Sequence, residues 1–166
     1  HYELTKLLLP VVRRHPNVHV LFCGGRNESV NRRVEKLIES AGVRSRFHIP
    51  GVIPRYAVPW LLKHVHCAVI ASAAETFGHA YVEPMMAGVP VLGTRTGAGE
   101  YTLQDYEITS PMSFLRQIEF LLHHKHECHK IGKTCRELAM SVFAMDKVAE
   151  AHLRLYKSMA QDLYMT

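Results

Sequence analysis

The sequence predicts an α/β fold: a doubly wound parallel sheet flanked by helices and ending in two or three C-terminal helices. Three observations carry that expectation. Helical and strand-like apolar periods alternate through the first hundred residues, the strand-like runs are short and closed by glycine or proline, and from Ser110 onward only the helical period remains. Sheets of this kind take ligands beyond the carboxyl ends of their strands.

Each element has a local reason. Tyr2 to Arg14 has the helical period, and Val18-His19-Val20-Leu21-Phe22-Cys23, closed by Gly24-Gly25, reads as a buried strand. Val30, Val34, Leu37, Ile38 and Ala41 share one helical face, with Gly42 placed as its C-terminal stop. Arg46 to Ile49 is a short strand ended by Pro50-Gly51, and Tyr56 to His64 is helical despite Pro59. Cys67-Ala68-Val69-Ile70-Ala71 is the clearest buried strand, followed by a helix from near Ala80 to Ala87 and a strand from Val89 to Gly93. Ser110-Pro111 is a cap with proline at the first helical position, and Phe114, Leu115, Ile118, Leu121 and Leu122 form the apolar face that follows. Two more helices are expected, about Cys128 to Val142 and Lys147 to Leu163.

A chain of 166 residues, 48% hydrophobic and 21% charged, suits one globular domain over 1–166 and excludes a disordered one. No window reaches the ~18 uninterrupted apolar residues of a membrane span. Cys23, Cys67, Cys128 and Cys135 form no C-x-x-C pair, which argues against a disulfide scaffold or zinc knuckle and for a reducing, cytoplasmic setting. Residues 1–70 hold eleven Lys/Arg against four Asp/Glu, and residues 71–166 hold nine against eleven, so the net charge of +5 comes from the first part. That excess suits a phosphorylated ligand, an anionic membrane surface or nucleic acid, while solvated surface charge accounts for any single arginine. Opening at His1 directly into a helical pattern, the chain reads as a piece of a longer protein.

The chemistry concentrates between Ala71 and Asp105. Glu75 falls in the loop after one strand and Glu83 a turn or so inside the next helix, so both can face one crevice. The helix N-terminus offers backbone N–H groups and a positive dipole end to a diphosphate, and Gly78 removes the side chain that would block approach. An acid near that end can accept two ribose hydroxyls. The residues alone lead to a phosphorylated ligand in an α/β crevice.

Glu75, Phe77, Gly78, Glu83, Met86, Ala87, Gly88, Pro90, Val91, Gly97, Gly99 and Glu100, in this order, resemble the donor-binding domain of retaining nucleotide-sugar glycosyltransferases of the GT-B fold, the glycosyl transferases group 1 family. Leu21 to Gly25, Phe47 to Val52 and Tyr156 add to the likeness. The resemblance implies a Rossmann-like C-terminal domain with the first strand and an N-terminal acceptor-binding domain outside these residues, and an isolated piece that transfers nothing. It implies that Glu75 is catalytic, contacting the transferred hexose, with Phe77 and Gly78 holding hydroxyls or phosphate. Glu83 would bind the ribose, Gly51, Val52 and Ile53 the nucleobase, and Gly97 the diphosphate side. Arg26 and Arg95 are the nearby loop cations for the diphosphate. The reaction implied is metal-independent and needs no cofactor, its donor is a UDP- or GDP-sugar, and its acceptor is a glycan, a lipid-linked or a small molecule. No Asp-x-Asp pair occurs among Asp105, Asp146 and Asp162.

Departures and alternatives stand beside this reading. Pro84 replaces the family's usual Ala and would delay the helix start to near Tyr81, Ala71 replaces a usual Pro, and the last strand, Tyr106 to Thr109, is shortened or lost. Gly24-Gly25-Arg26 reads as a phosphate cradle or a plain turn, and Arg95 as a phosphate ligand or surface charge. His123 to His129 reads as a solvated loop between helices rather than a zinc site, and Trp60 as packed on the sheet rather than stacked on a base. The competing functions are a non-catalytic sugar-nucleotide-binding module and a basic membrane-surface or nucleic-acid binder, the membrane surface being compatible with peripheral association at an anionic cytosolic face. No RNA-binding aromatic motif supports the nucleic-acid reading, and no nucleic-acid partner is expected.

Overall fold

The computed structural model describes residues 1–25, 28–102 and 106–164, with the side chains of 101–102 and 162–164 left aside. Helix α1 (Tyr2–Arg14) leads into β1 (Val20–Cys23), α2 (Glu28–Ser40) and β2 (Phe47–Gly51). A single 3-10 turn and the short α3 (Val58–Leu62) follow, then β3 (Ala68–Ile70), α4 (His79–Met86), β4 (Val91–Gly93) and α5 (Gly99–Thr102). Three helices close the chain: α6 (Pro111–His123), α7 (Lys125–Phe143) and α8 (Met145–Tyr164). Among the described residues, no helix is long and apolar enough to cross a membrane.

The strands are parallel, β1 with β2 and β3 with β4, as alternating helices and strands require. One further parallel bridge, Gly93 to Glu107, continues the sheet beyond β4, so the last strand survives only as a remnant. Among the described residues no ladder joins β1 to β3, and the sheet exists as two parallel halves. Side chains hold the halves together. Phe22 of β1, Phe47 of β2 and Leu92 of β4 enter one core with Leu8, Val11 and Val12 of α1 and Phe114, Ile118 and Leu121 of α6. The neighbour of Leu92, Val91, enters a second core with Ile70, Tyr81, Met85 and Ala139. Successive side chains of a strand point to opposite faces, so β4 is buried on both sides.

At the end where the strands begin, α1 and α6 are clasped. Arg14 Nη1 donates to Glu119 Oε1 at 2.5 Å, and His15 Nε2 lies 2.5 Å from Glu119 Oε2. Burial pushes the Glu119 carboxyl up, but the hydrogen bonds and charges of His15 and Arg14 outweigh it and hold it below the usual carboxylate range. The clasp therefore adds stability above the unfolded carboxyl's titration and loses it as pH falls through the folded one. Arg46, just before β2, donates to the carbonyls of Val12 and His15 and satisfies the C-terminal end of α1.

Three expectations are corrected. Helix α4 begins at His79, ahead of the start near Tyr81 expected from Pro84, because Gly78 in the left-handed region (φ +91°) turns the chain into the helix and Pro84 is accommodated inside it. The run His123 to His129 is helix rather than loop: only His124 separates α6 from α7, and Cys128 is buried with its thiol on the His66 carbonyl. Trp60 is 65% exposed and stacks at a tilt on His64, because α3 buries none of its side chains against the sheet.

Helices α4 and α7 meet where two glycines touch. A Cβ on Gly132 would run into the Gly88 carbonyl oxygen, with no flexible side chain to yield. Arg136 seals the contact by donating to the Met86 carbonyl. Gly132→Ala is expected to force α7 off α4 and cost about 1–3 kcal/mol, measured by denaturant unfolding. Gly25→Ala, where an added Cβ meets nothing within 4 Å, should stay within roughly 0.5 kcal/mol.

Candidate functional site

Two loops leave the carboxyl ends of β3 and β4, and backbone contacts draw them together. The Thr94 amide donates to the Ile70 carbonyl at 3.0 Å, and the Thr94 hydroxyl to the Ser72 carbonyl at 2.6 Å. Further out, the Ala98 amide donates to the Phe77 carbonyl at 2.6 Å. Between these ties sits Gly97 in the left-handed region (φ +53°), where a Cβ would lie 2.8 Å from the Phe77 oxygen and 2.9 Å from the Glu75 Cβ. Only glycine lets the loops approach this closely.

Glu75 is half-buried in this junction, its carboxylate accepting a hydrogen bond from the Ser72 hydroxyl at 2.7 Å. The bond fixes the side chain above the strand ends. Gly78 is the residue before α4, and a Cβ there would lie 2.9 Å from the Tyr81 ring and 3.5 Å from the Ala98 amide. The first turn of α4 thus starts at the junction: the Tyr81 amide donates to the Gly78 carbonyl at 2.9 Å, and the His79 and Ala80 amides precede the first intrahelical partner. Glu83 is exposed on the following turn of α4. Phe77 is 42% exposed and meets His79 and Phe143 edge-on, with ring centroids 5.0 and 5.5 Å away.

The structure thus brings together Glu75, Phe77, Gly78 and Gly97, while Arg95 is exposed on the same 94–98 loop. Gly51, Val52 and Ile53 lie at the carboxyl end of β2, in the other half of the sheet. There Gly51 (φ +80°) accepts from the Gly24 amide at 3.0 Å, Ile53 is half-buried, and Val52 is 74% exposed. Arg26 and Asp105 lie outside the described residues. A cavity of about 280 Å³ beside α6, lined by Tyr106, Ser113, Arg116, Gln117 and Phe120, includes none of the expected site residues.

Tyr81 is the positioning residue that sequence reasoning missed. Fully buried in α4, it donates its hydroxyl to the Thr94 carbonyl at 2.7 Å and lies 3.3 Å from the Thr96 hydroxyl. It therefore ties helix, loop and strand end into one unit. Its only sequence signal is its place among the apolar residues of α4. The cysteines are not candidate nucleophiles: burial, with the neighbouring Cys128, pushes the Cys67 thiol up to about 12, and burial also raises Cys23, Cys128 and Cys135.

Comparison with known proteins bears on the family and the fold. The family described as "Glycosyl transferases group 1" matches residues 2–138. Spore coat protein SA of Bacillus subtilis is 24% identical, the match covering 93% of this chain and 44% of that protein. The lipopolysaccharide core biosynthesis glycosyltransferase LpsE of Rhizobium meliloti is also 24% identical, over 91% and 45%. The chain spans less than half the length of these two relatives. Among solved structures, the C-terminal domain of the group 1 glycosyl transferase LpcC from Francisella tularensis superposes with a TM-score of 0.76 at 17% identity, covering 87% of this chain and 79% of that one. Anabaena HepE in complex with UDP gives 0.73 at 18% identity, over 94% and 44%. These structures share the fold, Rossmann-like and followed by C-terminal helices, and the extent of the family match establishes that the chain belongs to the glycosyl transferases group 1 family.

Proposed function

We propose that this chain supplies the donor-binding half of a retaining, metal-independent hexosyltransferase that uses a nucleotide diphosphate sugar. The observation that carries the reading is the convergence of Glu75, Phe77 and Gly97 at the carboxyl ends of β3 and β4, beside the first turn of α4, in a chain of this family. Glu75, held by Ser72, contacts the hexose and stabilises positive charge developing at its anomeric carbon. The backbone at Phe77, Gly78 and Gly97 and the N-terminus of α4 receive the diphosphate, with Arg95 and Arg26 as cations. Glu83 accepts the ribose hydroxyls, and Gly51, Val52 and Ile53 border the base. UDP is the nucleotide to test first, since it is bound in the Anabaena relative.

In this reading the acceptor, a glycan, a lipid-linked or a small molecule, is held by a separate domain of a longer cytoplasmic protein. A second reading, nucleotide-sugar binding without turnover, is favoured by the name of the Bacillus relative, a spore coat protein.

In the protein carrying its acceptor domain, Glu83→Gln is expected to weaken UDP binding by about 1–2 kcal/mol, because a neutral amide accepts ribose hydroxyls less well than a carboxylate. Glu75→Gln should reduce transfer far more than UDP affinity. Equal losses of affinity would contradict the division of roles, and UDP-sugar binding without transfer in the unaltered protein would establish the second reading. Transfer should also persist in EDTA below the unfolding temperature, since protein cations and a helix terminus meet the diphosphate charge. Loss of transfer restored by a divalent cation would overturn the metal-independent assignment.

A further inference from the structure

The clasp between α1 and α6 holds more than an ion pair. His123, one helical turn beyond Glu119, points its Nε2 at the same carboxylate oxygen that faces His15, at 3.5 Å. The three candidate ligand atoms all lie within 4.8 Å of one another, and the two imidazole rings meet edge-on with centroids 5.1 Å apart. Two imidazoles and a carboxylate are a zinc-type donor set, poorly suited to magnesium or calcium.

We propose that His15, Glu119 and His123 form a zinc-binding site that cross-links α1 to α6. Tetrahedral zinc with bonds of about 2.0–2.2 Å places neighbouring ligand atoms roughly 3.3–3.5 Å apart. The His123 to Glu119 separation already has that value. The shorter His15 to Glu119 contact opens by about an ångström as zinc replaces the proton the two residues share. Ligation uses Glu119 Oε2, and Arg14 remains on Oε1, where its charge opposes the metal. His123 is 60% exposed at its side chain, which leaves an entry path and room for water in the fourth position.

The site is remote from the donor crevice and independent of the proposed function. Helices that link parallel strands run back against them, so the C-terminal ends of α1 and α6 lie where the strands begin. The bonds from Arg46, at the start of β2, to the last turn of α1 fix that placement. Two other histidines of the run are turned elsewhere: His124 bonds the Phe120 carbonyl, and His126 faces Glu127.

The test is competition for zinc between the full 166-residue chain and a chromophoric chelator, with thermal melting alongside. One zinc per chain is expected, with a rise in Tm. His123→Ala should weaken binding at least about tenfold and abolish the rise, and its exposure makes the variant tolerable to the fold. Arg14→Ala should bind more tightly, a gain that misfolding cannot imitate. The double variant His126→Ala, His129→Ala should bind as the parent does. Parental affinity in His123→Ala, or loss of binding in the double variant, would overturn the site.

Discussion

The backbone junction between the two loops above β3 and β4 sets the geometry of the crevice. Its central contact is the Ala98 amide on the Phe77 carbonyl, which the missing side chain of Gly97 makes sterically possible. Glu75 takes its position from this junction through Ser72, and α4 takes its entry from Gly78 beside it. The Tyr81 hydroxyl on the Thr94 carbonyl then couples the helix to the second loop. Gly78, Tyr81 and Ala98 are buried and Ser72, Glu75 and Thr94 half-buried, where an unmade hydrogen bond is costly, so these parts settle together.

Beneath the junction the scaffold relies on packing more than on ladder hydrogen bonds. Two strand pairs that share no ladder among the described residues are joined by Phe22, Phe47, Leu92 and the apolar faces of α1 and α6. The second core is closed by α7, which approaches α4 to glycine-on-glycine distance. Apolar packing is non-directional, and polar fasteners at the periphery add direction to it: Arg46 on the end of α1, and Glu119 between α1 and α6.

What was legible in the sequence follows from the range of the interactions. The alternation of helix and strand, the cap at Ser110 and the glycine at 78 before a helix depend on neighbours in the chain, and appear where the pattern put them. The convergence of Glu75, Phe77 and Gly97 was reachable only through family likeness. Tyr81, Gly132 and the meeting of His15 with Glu119 were not legible, because each depends on an approach between segments up to 104 residues apart. The histidine run misled for a different reason. Its polarity suggested a loop, yet Cys128, Gly132, Cys135 and Ala139 supply α7 with a narrow small-residue face sufficient to bury it.

Because main-chain atoms and the Thr94 and Tyr81 hydroxyls make the loop junction, the exposed side chains on it do not set its shape. Thr76 and Arg95 project from a scaffold whose shape does not depend on their identity. Replacing either alters the charge and bulk presented to a bound molecule while Gly97, Ala98 and Tyr81 keep the loops in place. The fold thus separates what holds the crevice from what tunes it, and such an arrangement can acquire a new substrate preference by single substitutions without passing through an unstable intermediate.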